Sequence, residues 1–180
     1  MTDDAPAPGA AWPAGVALRP LRRTDAGWVL ARHAALYARD EGFDARFAAD
    51  VEAALSEFFA GAPGDRGWIA EAASAADGAG NGAAPVGSIL CVGAGAGAAR
   101  VRLFLLEPEW RARGLGRLML ETCLAHARAT GRSRLLVGTY DSHRAAGRLY
   151  ARAGFALVAI RPLRRYGRDL VEQSWEKRLD

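Results

Sequence analysis

Lysine is almost missing from this chain of 180 residues, and long apolar runs are missing altogether. Lys177 is the only lysine, so arginine carries nearly all of the positive charge behind the net +4. Acidic residues are spread among the arginines without a long basic block, which argues against nucleic acid as the main partner. No apolar stretch reaches the roughly 20 residues that cross a bilayer, so we expect no membrane partner.

Cysteine is scarce as well. Cys91 and Cys123 are the only two, and they follow no metal-binding or redox spacing. We therefore expect two small buried apolar residues in a reducing compartment, and no metal site. Residues 1–15 lack the basic start and apolar core of a secretory signal, so the expected location is the cytoplasm.

The length suits one domain with a sizeable core. Residues 1–15 are rich in Pro, Ala and Gly, which predicts a flexible tail, and residues 16–180 are predicted to form a single domain. Periodicity predicts helices over residues 25–39, from Asp44 onward, and over residues 115–128 and 142–153. Strands are predicted at residues 16–20, from Trp68 onward, and at residues 86–92, 100–106, 135–139, 155–160 and within 170–177. A low-complexity loop is predicted over residues 72–84. This order indicates a mixed α/β domain.

The most informative segment is Arg-Ala-Arg-Gly-Leu-Gly, residues 111–116. It follows an apolar strand-like run and opens a helix-like run. A strand, a glycine turn and a helix start form a backbone nest whose N–H groups can bind an anion. The segment therefore predicts a ligand that carries phosphate.

Three patterns compete for this turn. A nucleotide-triphosphate loop needs Gly-Lys-Ser/Thr, but Arg117 and Leu118 follow Gly116. A dinucleotide fingerprint needs a third glycine where Met119 stands. The third pattern, Arg/Gln-x-x-Gly-x-Gly/Ala, has all its residues in place.

This third pattern resembles the GNAT superfamily of acyl-CoA-dependent N-acetyltransferases. The stretch LFLLEPEWRARGLGRLMLETCLAHA looks like that family's fourth strand, pyrophosphate loop and following helix. The stretch AAGRLYARAGF looks like its later helix. The resemblance implies an α/β fold of the α+β type, with a mixed, mostly antiparallel sheet and helices on both faces. It also implies acetyl-CoA as co-substrate.

A closer resemblance involves both ends of the domain. RHAALYARDEGFDARF and YGRDLVEQSWEKRL look like the acetyltransferase domain that follows a MarR-type winged helix in some bacterial fusion proteins. The resemblance covers residues 16–180. No winged helix is recognised in the chain, so no DNA-binding role is carried over.

The resemblance assigns the cofactor to two segments. Backbone N–H groups of the loop would bind the pyrophosphate, and one N–H of the preceding strand would bind the thioester oxygen. The loop residues are Arg111, Ala112, Arg113, Gly114, Leu115, Gly116 and Arg117, and the strand residues are Phe104, Leu105 and Leu106. The alternative for the loop is a solvated surface turn. The side chains of the strand can serve as ordinary core at the same time.

Two catalytic residues are predicted. Tyr150 is the candidate general acid for the leaving thiolate, with a buried structural tyrosine as the alternative. Glu107 is the candidate base, with Glu71, Glu41 or a water relay as alternatives. Tyr140 and His143 stand where relatives often carry Asn.

The expected activity is acetyl transfer to a primary amine of a small or amino-acid-like molecule. The acceptor side is expected from the first two helices and the last strands. The alternative is a catalytically silent acyl-CoA sensor or partner-docking module. Sheets of this family often pair, so a homodimer is one expected state beside the monomer.

Overall fold

A single mixed sheet organises the chain. The computed structural model describes residues 12–73 and 82–179. Their strands form one seven-stranded sheet of order β1-β2-β3-β4-β5-β7-β6. The strands are β1 Val16–Pro20, β2 Arg66–Ala73, β3 Ala83–Gly93, β4 Ala98–Leu106, β5 Arg134–Tyr140, β6 Ala156–Arg165 and β7 Arg168–Arg178. The helices are α1 Ala26–Glu41, α2 Ala45–Ala60, α3 Leu115–Ala129 and α4 Arg144–Arg152. Most of the predicted tail and the middle of the predicted loop 72–84 lie outside the described residues.

Strand pairing confirms the predicted mixture. Neighbouring strands pair antiparallel everywhere except between β4 and β5, which run parallel. Helix α3 connects these two strands, as the change from hairpins to a strand–helix–strand unit predicts. The predicted fold class is therefore confirmed.

Helices cover both faces because the strands alternate their side chains. Trp68 and Ala70 of β2 pack into a core with α3 and α4. Ile69, between them, packs on the opposite face with Val29 of α1 and Val51 of α2. Period-two alternation thus divides the apolar residues of one strand between two cores. Each fully buried aliphatic side chain contributes about 2 kcal/mol.

Local signals set the ends of the first two helices. Gly42 adopts φ 69° and ends α1, a conformation that favours glycine. The Asp44 side chain accepts a hydrogen bond from the Arg46 N–H and caps α2, as predicted. The predicted second helix and its capping residue are confirmed.

Several predicted boundaries are wrong: β3, for example, begins at Ala83 rather than at residue 86. Helix α4 begins at Arg144 rather than within the Asp-Ser pair, because residues 140–143 first form a turn in which the His143 N–H donates to Tyr140 O. Strand β6 runs on to Arg165 rather than ending at residue 160. Tyr166 and Gly167, with φ of 52° and 76°, form the tight turn that sends the chain into β7.

No helix in residues 12–73 and 82–179 has the length and apolar content of a membrane span.

Candidate functional site

The sheet opens between β4 and β5. Their parallel pairing stops at Val101 and Val137, although β4 continues to Leu106 and β5 to Tyr140. An irregularity in β4 accompanies the opening: Leu103 has φ 45°, and its carbonyl accepts a hydrogen bond from Ser88 Oγ at 2.8 Å. A bulge bends a strand and increases its twist, which separates β4 from β5 beyond this point.

The end of β4 presents backbone groups to this opening. The Glu107 N–H donates to Val86 O of β3 at 2.9 Å. Successive residues of a strand point their N–H and C=O groups to opposite sides. The Leu106 N–H therefore faces the opening, where β5 no longer pairs with β4. The Leu106 carbonyl faces the same way and accepts from Arg111 Nε at 3.1 Å.

The loop after β4 forms the predicted anion nest. Ala112 and Gly114 adopt φ of 59° and 84°, so the backbone curls before α3 begins. Within the described part of the chain, no carbonyl or side chain accepts a hydrogen bond from the N–H groups of residues 112–116. Five consecutive N–H groups at a helix N-terminus form a cradle for an anion.

Glycine at position 116 allows the helix to approach the strand end. A Cβ atom there would lie 3.3 Å from Leu106 Cδ1 and 3.8 Å from the Phe104 ring. The nest and the free end of β4 are therefore adjacent. The spacing of Gly114 and Gly116 predicts the turn, whereas the close approach appears only in the structure.

The loop arginines have local partners. Arg111 reaches Asp40 at 3.6 Å in addition to Leu106 O. Arg113 lies over the Trp110 ring, 5.4 Å from its centroid. Arg117 pairs with Glu121 one helical turn further on. All three side chains are exposed, so their charge remains available to an anion at the nest.

Tyr150, the predicted acid, is 4% exposed on α4. It packs against the rings of Phe155 and Trp175. Its hydroxyl makes no hydrogen bond to any described residue. Burial raises the pKa of Tyr150, so the phenol keeps its proton at neutral pH. A protonated, unengaged hydroxyl suits a general acid, and the catalytic role stays a prediction.

Glu107, the predicted base, is engaged in an ion pair. Arg32 Nε donates to Oε1 at 2.6 Å and Nη2 donates to Oε2 at 2.8 Å. Both carboxylate oxygens are thus held by one guanidinium. The geometry favours a positioning role, and the role as base stays an untested prediction. Arg32 gave no signal in the sequence.

The alternative carboxylates have different surroundings. Glu71 accepts from Arg19, which also binds Asp25, so it belongs to an ionic cluster on β1 and β2. Glu41, at the end of α1, lies 3.2 Å from Nε2 of His143. His143 Nδ1 in turn lies 3.1 Å from Thr139 Oγ1 on β5. The order of residues in the chain gave no sign that Glu41, His143 and Thr139 meet.

His143 remains neutral near pH 7. Burial lowers the pKa of its imidazole, and the charge of Arg111 acts in the same direction. Glu41 acts in the opposite direction without outweighing burial.

Five aromatic side chains pack beside this group. Tyr37 stacks on Phe47 at 4.3 Å and meets the His143 ring edge-on at 5.3 Å. Burial raises the pKa of Tyr37 to about 12. We call the aromatic cluster the set Tyr37, Phe43, Phe47, Tyr140 and Tyr166. It joins α1, α2, β5 and the β6–β7 turn, the elements expected to form the acceptor side.

In the described residues, no group of three or more His, Cys, Asp or Glu side chains is arranged to hold a metal ion.

Strands β4 and β5 separate beside the N–H groups of residues 112–116. Apart from this geometry, the chain matches the model of a known protein family. The acetyltransferase (GNAT) family model matches residues 52–155. The chain belongs to this family. No curated protein sequence matches the chain significantly.

Solved structures of GNAT proteins share the fold. An acetyltransferase of the GNAT family from Staphylococcus aureus Mu50 matches with TM-score 0.73 and 14% identity, over 92% of this chain and 99% of that one. The protein yncA of Salmonella typhimurium, solved with its cofactor acetyl-CoA, matches with TM-score 0.68 and 18% identity, over 93% and 95%. Spermidine N-acetyltransferase from Vibrio cholerae, in complex with CoA and spermine, matches with TM-score 0.66 and 16% identity, over 93% and 97%. At these identities the likeness establishes the fold.

Proposed function

We propose that this GNAT protein transfers an acetyl group from acetyl-CoA to a primary amine of a small molecule. One observation carries the proposal: the five N–H groups of residues 112–116, which have no acceptor among the described residues, lie directly beside the free end of β4. The nest suits the pyrophosphate, and the strand end suits the thioester. The acetyl-CoA bound to yncA supports the choice of donor.

The opening between β4 and β5 gives the pantetheine arm its place. Phe104, Leu105 and Leu106 border it, and the Leu106 N–H is the group we assign to the thioester oxygen. A backbone donor fixed in the sheet needs no rearrangement as charge develops on that oxygen. Arg111, Arg113 and Arg117 add positive charge around the pyrophosphate.

The proposed reaction is a direct transfer. The amine nitrogen attacks the thioester carbon, and the carbonyl electron pair moves to the oxygen that Leu106 N–H stabilises. The pair returns as the carbon–sulfur bond breaks, and the thiolate takes a proton from Tyr150. The new amide nitrogen releases its proton to solvent, and solvent returns a proton to Tyr150, so one acetyl group has replaced one hydrogen and the enzyme is restored. No step requires a metal.

The aromatic cluster supports an acceptor amine on an apolar or aromatic body. Ring faces also attract an ammonium group before it loses its proton. The spermine bound to the Vibrio cholerae enzyme supports the broader class of small amines. We further propose that the protein acts in the cytoplasm and is related to the acetyltransferase domains of MarR fusion proteins. In the same proposal it is a monomer or homodimer and binds no nucleic acid.

Thiol release from acetyl-CoA over a panel of amines tests the function. We expect release that depends on the amine, with an equimolar acetylated product in the mass spectrum. The control is acetyl-CoA with protein and no amine. Acetyl-CoA binding by calorimetry without release on a broad panel would instead support a silent acyl-CoA sensor.

A further inference from the structure

Three polar side chains meet where α1, β5 and α4 converge. The Glu41 carboxylate can only accept, so the 3.2 Å contact places the imidazole proton of His143 on Nε2. Nδ1 then carries the lone pair, and the Thr139 hydroxyl donates to it at 3.1 Å. The result is a directed chain from Thr139 through His143 to Glu41. The catalytic roles assigned above do not use it.

This group lies at the proposed site. Thr139 is on the part of β5 that no longer pairs with β4, so it borders the opening. On the opposite wall, Arg111 contacts both Leu106 O and Asp40, the neighbour of Glu41. The end of α1 therefore bridges the two walls of the opening.

We propose that Glu41, His143 and Thr139 bind the ammonium form of the acceptor and remove its proton before acetyl transfer. The inference rests on the proposed function and names the proton acceptor within that site.

The proton can be followed atom by atom. The ammonium N–H bond breaks and its electron pair stays on nitrogen. The Thr139 oxygen takes this proton while giving its own to His143 Nδ1. His143 becomes an imidazolium, and Glu41 compensates its charge.

Charge stays compensated throughout the transfer. Before transfer, a carboxylate and a neutral imidazole carry one negative charge and attract the ammonium. Afterwards the pair and the amine are both neutral, so no uncompensated charge stays in a half-buried site. Charged and titratable groups facing His143 are Glu41 of α1, Arg111 of the loop, Asp141 of the adjoining turn, and the rings of Tyr37 and Tyr140.

The competing explanation is structural: the Glu41–His143 contact serves only to join α1 to α4. Loss of that contact would lower stability without changing how the rate depends on pH. The two explanations therefore differ in the pH profile rather than in activity at one pH.

The first experiment compares kcat against pH for the wild type, His143→Gln and Thr139→Val with one amine substrate. His126→Gln is the matched control, because His126 lies on α3 and its Nε2 contacts Gly64 O. We expect both site variants to lose about 100-fold in kcat near neutral pH. The loss should become smaller as the pH rises toward the pKa of the amine, because more of the amine is then already deprotonated and needs no proton acceptor. A loss that is the same at every pH, or no loss, overturns the inference.

The second experiment does not depend on turnover. The chain has three histidines, so His126→Gln and His143→Gln assign the imidazole signals in NMR spectra. With CoA bound, adding the amine should shift the His143 signal, and Glu41→Gln should abolish that shift. If no amine releases thiol, the proposed function fails, yet this titration still decides the inference. If no amine changes the His143 signal, the inference is overturned.

Discussion

Arg32 of α1 holds Glu107 at the end of β4 through two parallel contacts of 2.6 and 2.8 Å. Glu107 follows Leu106 directly, and its own N–H is bonded to β3. The pair therefore fixes both the direction of the Leu106 N–H and the start of the anion-binding loop. It also ties the helix of the proposed acceptor side to the strand of the donor side.

Replacing Arg32 by Gln should destabilise the protein by about 2 kcal/mol, because it leaves the buried Glu107 carboxylate without its partner. The effect stays below that of a fully buried pair, since the Arg32 side chain is 36% exposed. Urea unfolding measures it. The double variant with Glu107→Gln should recover part of the loss. Glu107→Gln alone should keep the pH profile of the wild type, and loss of the acidic limb, where a base becomes protonated, would instead make Glu107 the base.

Gly114→Asp should weaken acetyl-CoA binding at least about tenfold more than Gly114→Asn does, because the nest would then face a fixed negative charge. Both residues tolerate positive φ better than other side chains do, so the comparison isolates charge. Gly95→Asp is the matched control: Gly95 has φ 70° with open space around it, in the hairpin turn before β4. Calorimetry measures each Kd. Equal affinities for Gly114→Asp and Gly114→Asn would refute the pyrophosphate assignment.

Tyr150→Phe should lower kcat at least about tenfold and leave the Kd for acetyl-CoA unchanged, because the variant removes only the proton donor. The hydroxyl has no partner in the described structure, so folding should be preserved. Thermal unfolding of the variant supplies that control. Unchanged turnover would remove the acid assignment.

His33 should make stability depend on pH. Burial lowers its pKa from 6.5 to about 4, so the unfolded chain binds the proton first as the pH falls. The contribution is therefore complete above the unfolded pKa and is lost on the way down to about pH 4. From about pH 7.5 to about pH 5 the loss is roughly 2 kcal/mol. Urea unfolding at both pH values should show this loss of unfolding free energy in the wild type and not in His33→Leu. His143 titrates in both proteins, so its contribution cancels in the comparison.

The sequence predicts the structural features that residues close together in the chain determine. Gly114 and Gly116 predict a turn, Asp44 predicts a cap, and the order of strands and helices predicts a mixed α/β domain. Each of these depends on backbone conformation or periodicity within a few residues. The motif around them was therefore sufficient to indicate the family.

Only the tertiary structure brings Arg32 to Glu107, 75 residues away along the chain, or places Glu41 against His143 and Thr139. Such contacts depend on where α1 crosses the sheet, which no local pattern records. The bulge at Leu103 is of the same kind, because its carbonyl accepts a hydrogen bond from Ser88 on the neighbouring strand β3. Local sequence thus determined the loop that we assign to the donor. The packing of distant helices and strands decided which groups line the proposed acceptor side.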